Sequence, residues 1–438
     1  MKILFIAPLP PPVHGSAMVS QYIKDSRLVN EQYDCDFVNL STSRRMDEIG
    51  KGGIKKILRF IGAYLCLLWK LLTRRYDLCY LAITCHGVGF LKDAPFVLLC
   101  KLFRRRVLIH QHNKGMSGCV ERWPYRWLLP LVYRNTRVML LSWHLYDDIA
   151  KVVKREQVVI CANGVPPLAG YRLQTTDDRQ QTTDCHPEEN TTHYTLHTTQ
   201  ESSHTDSTDC TEDSCLRDVA LNLTQNTQNS QNTHCSARVG HPDGNTKHFT
   251  LNTKPSAPRL LFLSNLIPSK GVYVLLDACR VLKERGLQFV CDFVGGETKE
   301  IDRATFEAAV KERDLEGIVC YYGPKYGEEK EEYWRRADVF VQPTFDDCFP
   351  LTLVEAMQHR LPIVSTDVGA IPDMIKEEVN GFICPQRDVD SLVTALEKLI
   401  TDPALRQQMG EQGYQRYQEE FTLEAFERRF VAELKGDD

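Results

Sequence analysis

The chain contains no run of about 20 predominantly apolar residues, the length a membrane-spanning helix needs, so none is expected. The nearest approach, Ile57 to Leu72, is interrupted by Lys70. A Gly-x-Gly-x-x-Gly fingerprint is also missing. Between Pro8 and Ala17 the only glycine is Gly15, which argues against a dinucleotide dehydrogenase. No Asp-x-Asp pair sits in a donor-type loop, so no divalent metal and no other cofactor is expected. Met1-Lys2 leads directly into the apolar ILFIAPL, so no leader peptide is expected. Although the chain has 16 cysteines, they are scattered, and Cys66, Cys100, Cys161, Cys279 and Cys291 lie in apolar runs. Such thiols pack as small hydrophobes. They imply a reducing, cytoplasmic setting rather than a disulfide framework.

At 438 residues the chain is too long for one ordinary core and suits two domains with an addition. Its net charge of -5 hides an asymmetry. Up to Pro166 there are 25 Lys and Arg against 12 Asp and Glu, and after it 28 against 46. A basic first half suits an anionic neighbour, either a membrane surface or a phosphorylated acceptor; a merely soluble basic surface is the other reading. The stretch 51–75 bears Lys51, Lys55, Lys56, Arg59, Arg74 and Arg75 and no acid. It reads as a helix lying on the cytoplasmic face of an anionic membrane, or as one that buries its apolar face on a sheet. The two are compatible if one end is exposed. No nucleic-acid partner is expected.

Short apolar runs at Lys2–Pro8, Cys35–Leu40, Leu78–Ile83, Val107–His110, Val138–Ser142 and Val158–Ala162 alternate with helical stretches, the first of them at Met18–Leu28. This alternation predicts a doubly wound parallel sheet. A second series begins at Leu260–Leu263 and continues through Phe289–Val294, Val319–Tyr322, Val339–Gln342 and Ile363–Ser365. Ser391–Thr401 and Pro403–Leu434 read as closing helices. The expected domains are 1–166, Rossmann-like; 167–257, an insertion; 258–402, Rossmann-like; and 403–438, helices packing back towards the first domain. The insertion is rich in Thr, Gln, Asn, Ser and Asp and cannot offset its ordering entropy, so disorder is expected. Its histidines and cysteines include no Cys-x-x-Cys pair and are not expected to form a metal site.

The sharpest pattern is Asp347-Cys348-Phe349-Pro350-Leu351-Thr352-Leu353-Val354-Glu355. Pro350 suits a helix start, and first-turn amides there would face a crevice at a strand's carboxyl end. Free amides at the positive end of a helix favour a phosphate or a sugar hydroxyl. Lys270-Gly271 opens another helix of the same half. A lysine there opposes that helix's own dipole and gains a use if a diphosphate is bound.

These residues resemble the group 1 glycosyltransferases, the retaining enzymes of family 4 with the GT-B fold. The likeness continues through Pro362–Asp373 and Asn380-Gly381-Phe382. It also takes in Ser264–Gly271, Pro8–Ala17 and Ala162-Asn163-Gly164-Val165. It implies two Rossmann-like domains facing a cleft, 1–166 binding the acceptor and 258–402 the nucleotide sugar, and transfer of a hexose from a nucleoside-diphosphate sugar to a lipid-linked or saccharide acceptor. Cell-surface polysaccharide or glycolipid synthesis is the setting implied. Under the resemblance Lys270 neutralises the leaving diphosphate and Glu355 holds the ribose. Asp347 and the backbone of Phe349, Pro350, Leu351 and Thr352 hold the sugar. Gly15 and Ser16 approach from the first domain, and Asn265 and Gly295 line the phosphate loop. His112 faces the sugar, with His110 as the substitute; either histidine also reads as a satisfied core residue. The chain departs from the family pattern at Asp347, where glutamate is usual, at Asn265, where arginine is usual, and at Arg360, where glycine is usual. A nucleotide-sugar epimerase and a non-catalytic nucleotide-sugar-binding protein are the rival readings.

Overall fold

The computed structural model describes residues 1–11, 15–41, 54–168 and 257–435. Of the insertion expected at 167–257, residues 169–256, with their histidines and cysteines, lie outside the described residues.

The first half alternates as the apolar runs demand. Its elements are β1 (Lys2–Ala7), α1 (Gly15–Asp25), α2 (Arg27–Gln32), β2 (Asp34–Asn39), α3 (Ile54–Thr73), β3 (Leu78–Ile83), α4 (Gly87–Leu102), β4 (Arg106–Gln111), α5 (Tyr125–Tyr133), β5 (Arg137–Leu140), α6 (Tyr146–Ile149) and β6 (Val158–Ile160). The strands are parallel, in the order β2-β1-β3-β4-β5-β6. The single helix expected at Met18–Leu28 is two. Ser26 turns the chain and caps α2 by accepting from the Val29 amide.

The second half begins with β7 (Arg259–Leu263), α7 (Val272–Glu284), β8 (Val290–Val294), α8 (Arg303–Glu312), β9 (Val319–Tyr321), α9 (Gly327–Arg336) and β10 (Val339–Val341). It continues with α10 (Leu351–Gln358), β11 (Ile363–Thr366), α11 (Ile371–Met374), β12 (Gly381–Cys384), α12 (Val389–Thr401), α13 (Pro403–Arg416) and α14 (Leu423–Lys435). Its sheet runs β12-β11-β10-β7-β8-β9, again parallel. β12 was not foreseen. It is four residues long, and its first residue, Gly381, packs so close to β11 that an added Cβ would lie 2.1 Å from the Ile363 carbonyl oxygen.

Both strand orders reverse direction once, between β1 and β3 in the first sheet and between β7 and β10 in the second. Such switch points leave a crevice outside the carboxyl ends of the strands, where ligands of open α/β sheets bind. The loops after β7 and β10 are the two on which the sequence pattern falls.

Pro403–Leu434 is not one continuous helix. α13 ends in a wide turn at Tyr417–Phe421, and Thr422 then crosses to the first half. There Val165 bonds both ways, its amide to the Phe421 carbonyl at 3.0 Å and its carbonyl to the Leu423 amide at 2.9 Å. Gly164 is needed at this crossing, because a Cβ would sit 2.3 Å from the Thr422 carbonyl oxygen. α14 then covers the first sheet with Phe426 and Phe430, which are fully buried in one cluster with Phe5, Tyr80 and Leu108. The last helix among the described residues therefore joins α1 and α2 in covering the first sheet. Every cysteine among the described residues is a free thiol.

Candidate functional site

The switch point of the second sheet brings the β7 and β10 loops side by side. After β7 the chain makes a tight turn at Pro268–Lys270 and enters α7 through Gly271. Gly271 has φ +86°, and a Cβ there would lie 2.1 Å from the Pro343 carbonyl oxygen. Both the left-handed backbone and the space demand glycine. Gly295, after β8, is under the same constraint, with φ +156° and only 1.9 Å from an added Cβ to the Ser264 carbonyl oxygen. Asn265 stands between them. Its Oδ1 accepts from the Gly296 amide at 3.0 Å, so it braces the loop where an arginine would add charge.

The Lys270 ammonium lies 2.7 Å from Asp347 Oδ2 and donates to the Asp346 carbonyl at 3.2 Å. Gln342, at the end of β10, donates to the same Asp347 oxygen at 3.1 Å and accepts from the Thr352 hydroxyl at 2.6 Å. Lys270, Asp347 and Thr352 thus belong to one hydrogen-bonded network, and Gln342, which no sequence motif singles out, joins them. An ammonium has three donors, so one remains beyond the two named here.

Pro350 caps α10 and Gly271 caps α7; neither supplies a side-chain acceptor to the first turn of its helix. Two helix N-termini without side-chain caps beside a lysine form an anion-attracting corner. Phe349 and Pro350 are buried, with the Phe349 ring 6.1 Å from that of Phe421. Gly369, at φ +60°, presses on the Asp347 and Cys348 carbonyls and fixes the loop from behind. Burial, followed by the charge of Asp347, pushes the Cys348 thiol up to about 12, so it stays neutral.

Glu355 lies one turn into α10, half-buried, and pairs with Lys330 of α9 at 2.8 Å. Nothing in the sequence pattern pointed to Lys330. It sits in the charged run of α9, and only the fold turns it towards Glu355.

The first half meets this corner along α10. Gly15 opens α1 opposite Leu351, the Leu351 Cδ1 lying 4.0 Å from where a Gly15 Cβ would stand. Ser16 follows at the helix start, and its carbonyl accepts from the Ser20 hydroxyl at 2.9 Å. Tyr22, further along α1, has its phenol pKa raised by burial and then by the charge of Glu355. Lys114, after β4, pairs with Asp346 at 3.6 Å. His144 of the first half pairs with Asp373 of the second at 3.1 Å, and Ser142 also donates to Asp373.

The two histidines differ in role. His110 is completely buried, with its Nδ1 2.7 Å from the Tyr80 hydroxyl and its ring stacked on Phe430. Burial, then the neighbouring His112, holds its pKa well below the usual histidine value. It is a core residue and not a substitute for His112. His112 lies just past β4, half-buried, its ring 4.0 Å from that of His110.

Away from the site, a cavity of about 710 Å³ opens at the amino-terminal edge of the first sheet, lined by Arg106, Arg134, Arg137, Lys154 and Glu433 among others.

Residues 243–416 match the family of group 1 glycosyl transferases. Over 147 residues the chain is 33% identical to the amylovoran biosynthesis glycosyltransferase AmsK of Erwinia amylovora, covering 32% of this chain and 35% of that protein. It is 30% identical over 158 residues to the putative colanic acid biosynthesis glycosyltransferase WcaL of Escherichia coli K12, covering 34% and 38%. The matched stretch spans little more than a third of these relatives' own length. Among solved structures, sucrose-phosphate synthase from Thermosynechococcus elongatus is similar with a TM-score of 0.64 at 15% identity, over 99% of this chain and 98% of that one. HepE from Anabaena, in complex with UDP, is similar with a TM-score of 0.64 at 14% identity, over the full length of both chains. The fold is GT-B, two Rossmann-like domains.

Proposed function

We propose that the chain, which matches the group 1 glycosyltransferases over residues 243–416, moves a hexose from a nucleoside-diphosphate sugar to an acceptor hydroxyl with retention at the anomeric carbon. The observation that carries this reading is the Lys270–Asp347 pair at 2.7 Å, set between the N-termini of α7 and α10.

The costly event in such a transfer is departure of a diphosphate from an oxocarbenium-like sugar. Preorganised donors stabilise the charge that develops, and they do so without reorganising. Here the donors are the remaining N–H of Lys270 and the first-turn amides of α10. Asp347 and the backbone from Phe349 to Thr352 orient the sugar hydroxyls, and Glu355, braced by Lys330, takes the ribose. Gly15 and Ser16 complete the pocket from the first domain, because a residue without a side chain lets α1 approach the ligand closely. His112 faces the sugar. No divalent metal is assigned to the reaction, and transfer that persists in excess chelator supports that assignment. The leaving phosphate itself takes the acceptor proton.

Names of relatives acting in amylovoran and colanic acid biosynthesis favour a precursor of a surface polysaccharide as the acceptor. A nucleotide-sugar epimerase would form product without an acceptor, and a binding protein would form none. The test is release of nucleoside diphosphate from UDP-, GDP- and ADP-sugars, with and without a lipid extract. Acceptor-dependent release from one donor class supports transfer, and an isomerised nucleotide sugar formed without acceptor overturns it.

A further inference from the structure

α3 carries two apolar stripes. The inner one, with Phe60, Ala63, Tyr64, Leu67 and Leu71, packs into the first domain's core, where Phe60 and Tyr64 meet Phe96 of α4 edge to face. The outer one runs at helical spacing through Ile54, Leu58, Ile61, Leu65, Trp69 and Leu72. These six residues are exposed by 77, 62, 45, 56, 68 and 63%. Folding needs only the inner stripe, so the outer one has no role in the fold described above.

α3, α4 and α5 lie on one side of the sheet, because their right-handed crossovers all proceed in the same direction along it. The outer surface of this layer also presents Trp127 of α5 at 67% and Trp123 just before it at 81% exposure. Exposed apolar surface of this extent marks an interaction site.

Charge decides what the surface meets. Residues 51–134, which hold α3, α4 and α5, contain 16 Lys and Arg against Asp77, Asp93 and Glu121. Asp93 is buried, and Asp77 accepts from the Lys2 amide at 2.7 Å; Lys70 and Arg74 pair with Asp36 of β2, and the basic excess rests on the others. A second copy of this face would bring like charges together, whereas an anionic bilayer complements both the charge and the apolar stripe. No helix among the described residues is long and apolar enough to cross a membrane, so α3 lies on the surface. We propose that the outer face of the α3–α5 layer is a docking surface for anionic phospholipid, with α3 in the plane of the headgroups and the indoles of Trp69 and Trp127 at the acyl boundary.

This placement bears on the acceptor. α3 runs back from the carboxyl edge of the sheet, so its Ile54 end lies at the edge where the candidate site opens. A bilayer under α3 therefore reaches the mouth of the site, which suits a lipid-linked acceptor. Docking itself does not depend on transfer.

The test is co-sedimentation of the full chain with vesicles of phosphatidylcholine alone and of phosphatidylcholine mixed with phosphatidylglycerol. Binding is expected only to the anionic vesicles, weakened by salt, with a blue shift of tryptophan emission. The triple variant Leu58→Glu, Leu65→Glu, Trp69→Glu should lose about tenfold or more of that binding. Its melting temperature and its stabilisation by nucleotide should stay those of the parent. Absence of binding by the parent overturns the proposal. So does a dimer that forms without vesicles and disappears in the triple variant, which would assign the face to a second copy. A chain that docks but transfers no sugar keeps this proposal while overturning the proposed activity.

Discussion

Lys270 and Asp347 neutralise each other across 2.7 Å, one held by the loop after β7 and the other by the loop after β10. Both side chains are largely shielded from solvent. Removing the cation leaves Asp347 uncompensated in the corner a diphosphate has to enter, so the damage exceeds loss of one attraction. Lys270→Ala should lower the rate of transfer by about 100-fold or more while the fold persists. Steady-state kinetics together with circular dichroism check this, and near-normal turnover by a folded variant excludes the role given to Lys270.

Lys330 acts through Glu355 and touches no reacting atom in this reading. Lys330→Ala leaves Glu355 without its 2.8 Å partner and free to turn away from the ribose. The expected result is a rise of about tenfold in KM for the donor, with kcat changed much less. Lys330→Arg should restore most of the affinity. A variant that loses kcat and keeps KM would show that Glu355 does something other than hold the nucleotide.

Two glycines in the site permit no side chain. Gly271→Ala and Gly295→Ala would place a Cβ 2.1 Å and 1.9 Å from backbone oxygens. Neither neighbour is a movable side-chain end, so the loops have to shift. Each substitution should destabilise the chain by about 2 kcal/mol or more and reduce nucleotide-induced stabilisation. Thermal unfolding with and without nucleotide measures both effects.

His110 supplies a pH dependence whose sign is fixed. Its folded pKa lies below the unfolded value, because burial and His112 disfavour the charged ring. The unfolded chain then binds the extra proton first. The stability it contributes is complete above about pH 6.5 and falls as pH drops below that value, by at most about 1.4 kcal/mol per pH unit. His110→Gln keeps a neutral partner for Tyr80 and should flatten this dependence between pH 7.5 and 5.5 in denaturant titrations. An unchanged slope would mean that another group carries it.

Arg360 has φ +54°, the left-handed backbone that explains why the resembled family has glycine at this position. Arg360 offsets that strain by pairing with Glu411 at 2.9 Å and covering the Tyr414 ring at 3.8 Å. Arg360→Ala keeps the strain and loses both contacts, so it should cost about 1 kcal/mol. Arg360→Gly removes the strain as well and should be the more stable of the two variants, as their melting temperatures would show.

Much of this arrangement was legible before the fold. Eleven of the twelve strands in the described residues were marked by apolar runs, because a parallel strand inside a sheet is buried on both faces and cannot alternate with polar residues. Lys270, Asp347 and Thr352 could be read together, because a strand, a loop and a helix start fix their local geometry within a few residues. Lys330, Gln342 and Lys114 could not. Each reaches the site from an element whose own sequence gives no sign of where it packs. β12 was too short to give a periodic signal, and the division at Ser26 was hidden by helical residues on both sides of it.

The sequence by itself determined the alternation of strand and helix, the pair of sheets, and the two loops whose residues suit an anion. Those properties depend on contacts between near neighbours and on which faces must leave water. Only the tertiary structure decided that the closing helices break at Tyr417–Phe421 and cross beside Val165, that His110 is a core residue, that Glu355 leans on Lys330, and that α3 keeps one apolar stripe outside. Such outcomes depend on which distant surfaces meet, and periodicity marks a face as apolar without saying what will cover it.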